Sequence, residues 1–151
     1  MPRRPRILVL NNDSDFLDLM KELLADEGYE SETRKVWDDA YDVVKRMKPD
    51  LVILDVLLDI AGRGFQLIDL LTLDPATRSM PLIVASTSTA QLHERTEAFT
   101  AMGIPVIGKP FDLETLLGII RRSLAAGTRE AIREEGLGGP VEENGVLKGP
   151  S

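Results

Sequence analysis

The sequence predicts a doubly wound α/β fold, a five-stranded parallel sheet with five helices. Four short runs, Ile7 to Leu10, Leu51 to Leu54, Leu82 to Ala85 and Val106-Ile107, are apolar throughout and bounded by polar, Gly or Pro residues. Continuous rather than alternating hydrophobicity, rich in Ile, Val and Leu, marks strands covered by helices on both faces of a parallel sheet. Helical spacing fills the intervals, and this βα alternation implies right-handed crossovers.

The first strand, Ile7 to Leu10, is followed by a helix carrying Phe16, Met20, Leu23 and Leu24 on one face. Asp13 or Ser14 suits its N-cap, and Gly28 suits the residue just past its end. Tyr29 to Thr33 alternates apolar or bulky with charged residues, as an edge strand does. The second helix places Ala40, Val43, Val44 and Met47 together and stops at Lys48-Pro49, because the residue before proline is disfavoured in helical geometry. After Leu51 to Leu54 comes a helix from about Phe65 to Leu73, closed by Asp74-Pro75. After Leu82 to Ala85 comes a less clearly striped helix from about Thr89 to Met102, closed by Gly103. The last helix follows Val106-Ile107, with Asp112 as N-cap and Leu113, Leu116, Leu117, Ile120 and Leu124 on one face.

A chain of 151 residues implies one core, spanning residues 5–125. From Ala126 onward Gly, Pro, Glu and Arg dominate, so residues 126–151 are expected to form a flexible tail. Eighteen Lys+Arg against 25 Asp+Glu give a formal charge of −7, which offers no basic surface for nucleic-acid phosphates. The absence of cysteine excludes disulfides, a thiolate nucleophile and Cys-ligated metal centres. With no signal-peptide core and no apolar stretch long enough to span a membrane, the expected location is the cytoplasm.

In a doubly wound sheet, ligands gather beyond the carboxyl ends of the strands. The residues there are Asn11-Asn12-Asp13, Asp55, Ser86-Thr87 and Lys109-Pro110. A carboxylate, a hydroxyl and an ammonium following separate strands suit phosphoryl transfer to protein. Asp55 would be the nucleophile, Ser86 a hydrogen-bond donor to a phosphoryl oxygen, and Lys109 its neutralising charge. Each alone has a plainer reading: a turn Asp, a loop hydroxyl, a solvated Lys. His93 is read as a surface residue, and Trp37 and Tyr41 as helix packing or surface contacts. The loop after the first strand is not glycine-rich, and Gly62-Arg63-Gly64 is too short to cradle a dinucleotide.

Five segments in order, "RILVL-NNDSDFLDLMKELLADEGYE", "KPDLVILDVLL", "GRGFQLIDLL", "PLIVAST" and "GIPVIGKPFDLETLLGIIRRSL", resemble the receiver domain of two-component response regulators, the CheY-like domains, over about residues 5 to 125. The resemblance implies a flavodoxin-like fold with sheet order 2-1-3-4-5 and a signalling module rather than an enzyme. It implies phosphorylation of Asp55 by a histidine kinase or phosphotransfer protein, with Ser86 and Lys109 assisting and a cis peptide at Lys109-Pro110. Mg2+ is implied at Asp55, Asn12 and the Leu57 backbone carbonyl. The face formed by the fourth helix, fifth strand and fifth helix is the implied docking surface for a downstream partner or a second copy.

Three departures stand against that pattern. Asn11 and Asn12 occupy the positions of an acidic pair that helps hold magnesium, so affinity for the ion should fall unless Asp13 or Asp59 compensates. Val106 stands where many receivers carry an aromatic switch residue, and the loop Asp59 to Gly64 is one residue longer. The expected function is a single-domain receiver in a phosphorelay, signalling through protein contacts. The alternative is a pseudo-receiver that binds partners without phosphorylation.

Overall fold

The computed structural model describes residues 4–11, 13–35, 39–55, 63–86, 94–108 and 112–141. Contacts divide the chain into two compact units, Met1–Met80 and Pro81–Ser151.

In the first unit the elements run β1 (Arg6–Leu10), α1 (Ser14–Asp26), β2 (Glu30–Arg34), α2 (Ala40–Met47), β3 (Leu51–Leu54) and α3 (Arg63–Leu73). The strands are parallel in the order β2-β1-β3, with Ile7 opposite both Ser31 and Leu51. Leu8, Val9, Met20, Leu24, Val44, Ile53, Ile68 and Leu71 are buried, which removes the apolar faces read from the sequence from water. Asp13 is the N-cap of α1, its Oδ1 accepting from Asp15 N and Phe16 N at 3.0 and 3.4 Å. Helix α2 ends where Pro49 required, with Lys48 as its C-cap in left-handed geometry.

In the second unit they run β4 (Leu82–Ser86), α4 (Thr96–Met102), β5 (Pro105–Gly108), α5 (Leu113–Ala126), α6 (Arg129–Glu134) and β6 (Gly139–Val141). The order is β4-β5-β6, again parallel. Asp112 caps α5 by accepting from Glu114 N at 3.1 Å, and Leu116, Leu117, Ile119 and Ile120 are buried. The expected helix from Thr89 lies outside the described residues as far as His93.

Six strands and six helices therefore stand among the described residues, where five of each were expected. The added pair comes from residues 129–141, which composition had placed in the tail. A few well-spaced apolar side chains suffice there: Ile132, Leu137 and Val141 are buried, and Thr128 caps α6 by accepting from Ala131 N at 3.2 Å. Residues 142–151 lie outside the described residues. No described helix is long and apolar enough to cross a membrane.

Candidate functional site

Leu10 and Leu54 are the last residues of β1 and β3 and sit opposite each other in register. The next residues, Asn11 and Asp55, therefore occupy neighbouring positions at the carboxyl ends of parallel strands, a spacing of about 4.8 Å between strands. Both are nearly enclosed, at 2% and 3% exposure. The Asp55 N–H donates to Leu10 O at 3.2 Å, and the Asn11 N–H donates to Arg34 O at 3.2 Å. These bonds carry the sheet ladders past the strand ends and fix both backbones.

The Asn11 side chain has a local task. Its Oδ1 accepts from Asp13 N at 2.8 Å, an Asx turn that leads β1 into the capped start of α1. Asp13 spends its own Oδ1 on that cap. The Asp13 cap agrees with the sequence expectation, whereas the Asn11 turn was not anticipated, although an Asn-x-Asp spacing before a capped helix carries the signal for it.

In the second unit Ser86 ends β4 and pairs in register with Gly108, the residue before Lys109. Lys109, the Lys109-Pro110 bond, Asn12, Leu57, Asp59, His93 and Trp37 lie outside the described residues.

A magnesium ion takes oxygen donors in near-octahedral geometry, usually including carboxylates. Among the described residues no group of three or more His, Cys, Asp or Glu side chains is arranged to hold a metal ion. Among the described residues Asp55 is the one carboxylate that directly follows a strand, and the Asn11 oxygen is engaged with Asp13 N. The described donors do not by themselves fit the ion.

The clearest electrostatic cluster lies elsewhere in the first unit. The Tyr41 hydroxyl donates to Asp74 Oδ2, and Lys45 Nζ stands 3.0 Å from the same oxygen. Lys45 also lies 5.3 Å from the Tyr41 ring centroid, and Ala76 N donates to Asp74 Oδ1 at 2.9 Å. The Tyr41 hydrogen bond, then Ala76 and Lys45, hold the Asp74 carboxyl down at about 2. The same carboxylate raises both Tyr41 and Lys45 above their ordinary values. Tyr41 is thus a helix-packing contact with a polar end, joining α2 to the turn after α3. The i, i+4 placement of Tyr41 and Lys45 was visible in sequence, but their shared partner 29 residues beyond Lys45 was not.

Comparison with known proteins agrees with this architecture. Residues 7–121 match the model of the response regulator receiver domain. The chain is 26% identical over 150 residues to the phosphate regulon transcriptional regulatory protein PhoB of Klebsiella pneumoniae, covering 97% of this chain and 65% of that protein. It is 28% identical over 142 residues to protein Rrf1 of Nitratidesulfovibrio vulgaris, covering 92% of this chain and 97% of that one. Among the first relatives, this chain spans about half to two thirds of their length. The fold is that of the chemotaxis response regulator CheY4 of Vibrio cholerae, with a TM-score of 0.67 at 24% identity, covering 80% of this chain and 98% of that one. The parallel α/β architecture is therefore flavodoxin-like, and the chain belongs to the response regulator receiver domain family.

Proposed function

We propose that this chain is the receiver of a phosphorelay, accepting a phosphoryl group on Asp55 and passing the signal on by binding a downstream protein. The observation that carries this reading is Asp55 itself: a carboxylate at 3% exposure, held by its backbone at the carboxyl end of β3. The carboxyl ends of parallel strands are where a doubly wound sheet gathers its ligands, and Asp55 stands at one of them. A histidine kinase or phosphotransfer protein supplies the phosphoryl group. An Asp55 carboxylate oxygen forms the new bond to phosphorus while the bond from phosphorus to the donor nitrogen breaks, and the donor leaves with that electron pair. Ser86 donates a hydrogen bond to a phosphoryl oxygen, and Lys109 offsets its charge. Receiver domains typically use Mg2+. Asn12 and the Leu57 carbonyl are the remaining proposed donors here, joining Asp55.

The test is intact mass after incubation with phosphoramidate or acetyl phosphate, with magnesium and with chelator, beside Asp55→Asn. One phosphoryl adduct is expected in the wild type and none in the variant. The magnesium arm reports whether Asn12 and Leu57 complete a metal set. A folded wild type that takes no phosphoryl group from either donor or from a histidine kinase contradicts the reading.

One observation favours a second reading, a pseudo-receiver that binds partners without phosphorylation. Asn11 is neutral, and its oxygen is already engaged by Asp13 N–H. That oxygen therefore serves the turn into α1.

A further inference from the structure

Strand β5, Pro105-Val106-Ile107-Gly108, is apolar and buried through Ile107. An apolar strand with an open edge presents unpaired N–H and C=O groups to any other strand. In this chain that edge is taken by β6, with Pro105 opposite Gly139, Val106 opposite Pro140 and Ile107 opposite Val141.

The attachment is close. Gly139 N donates to Ile104 O at 2.7 Å, and Arg129 Nη1 donates to Met102 O at 3.0 Å. A Cβ on Gly103 would stand 2.1 Å from the Arg129 carbonyl oxygen, and one on Gly139 would stand 2.3 Å from Thr100 Oγ1. Both contacts need glycine, and both join α4 and its following turn to the α6–β6 segment. Ile132 and Leu137 of the same segment are buried.

The far side of β6 is unlike the near side. Successive residues of a strand direct their backbone groups to alternate edges. Gly139 N faces β5, so the nitrogen of Pro140 faces outward, and proline has no N–H to offer a further strand.

We propose that α6 and β6 form an edge cap: they cover the pairing edge of β5 and end the sheet at Pro140, so that a second copy of this chain cannot add to it. The cap stands on the face of α4, β5 and α5 that the receiver resemblance had marked for docking. A protein that docks there meets the outer surface of the cap. The inference does not require phosphorylation of Asp55, and its test contains no phosphodonor.

The full chain is compared with Gly103→Ala, which drives a Cβ into the Arg129 backbone, and Pro140→Val, which restores an outward N–H and leaves the cap in place. Amide exchange is followed by mass spectrometry, and self-association by sedimentation velocity over a concentration series. Wild-type peptides covering 104–108 and 129–141 should exchange at least about tenfold more slowly than unstructured chain. Gly103→Ala should accelerate those peptides by about tenfold, leave those of β1 and β3 unchanged, and raise the association constant. Pro140→Val should keep wild-type exchange in the cap yet also self-associate more strongly. The proposal is overturned if the wild-type cap peptides exchange as unstructured chain, or if Pro140→Val sediments as wild type at every concentration. Pro140 is only partly buried, so Pro140→Val decides the matter even where Gly103→Ala does not fold.

Discussion

Strand β2, at the edge of the first unit, reads Glu30-Ser31-Glu32-Thr33-Arg34 and stays partly exposed along its whole length. Strand β5 of the second unit reads Pro105-Val106-Ile107-Gly108, is buried except at its glycine, and has its edge paired with β6. On β2, Glu32 pairs with Arg34 at 2.6 Å and Glu30 with Arg6 at 3.7 Å, so the strand carries its own charges to the surface. A charged edge resists further pairing by itself, whereas an apolar edge has to be covered by more chain. The comparison explains why residues 129–141 are ordered despite a composition that reads as tail: they complete a surface that β5 leaves apolar.

The largest expected break in this comparison comes from emptying the cap. Ile132→Ala should cost about 2–4 kcal/mol in urea unfolding, because Ile132 is fully buried and its loss leaves a cavity. A cost below 0.5 kcal/mol would mean that the cap is not packed. In the first unit, Asp13→Ala should cost about 1 kcal/mol by removing the cap of α1. It should also accelerate amide exchange in the first turn of α1, leaving β6 unchanged.

Acid should act on the first unit through Asp74. Asp74 is held at about 2 against its ordinary 3.8, so its network contributes stability that is complete above the ordinary value and is lost as pH falls through about 2. Tyr41→Phe removes the principal cause of that depression. The variant should therefore show a shallower loss of urea midpoint over the same acid range, and an identical slope in the two proteins would contradict the assignment. The smallest effect is expected at the charged edge. Glu32→Ala should change stability by no more than about 0.5 kcal/mol, because the pair with Arg34 is about 40% exposed on each side. Its role in resisting strand addition would appear instead as increased self-association.

Much of the fold was legible because buried parallel strands and amphipathic helices write distinct periods into the sequence. The runs at Ile7, Leu51, Leu82 and Val106 all became strands, and the stops at Pro49 and Gly103 fell at helix ends. The cap was not legible, since Ile132, Leu137 and Val141 are spread among glycines and charges, and a three-residue strand has no period to read. At the strand ends, the β1–β3 register puts Asn11 and Asp55 at neighbouring positions, an adjacency that the residues themselves do not spell out and that only the sheet order implied by the resemblance anticipates. The resemblance did not reveal that the Asn11 oxygen serves Asp13, because it compares residue types and says nothing of which local N–H a side chain turns to. The Tyr41–Lys45–Asp74 cluster was hidden for a related reason: its third member comes from a different turn of the chain.

The most direct test of the receiver reading locates the modified residue. After phosphoramidate treatment, borohydride reduction converts an acyl phosphate on aspartate to homoserine, which peptide mass spectrometry assigns to a position. Homoserine at residue 55, with unmodified Asp13 and Asp74, is the predicted result. A folded protein with aspartate intact at 55 and homoserine at another position would contradict the account.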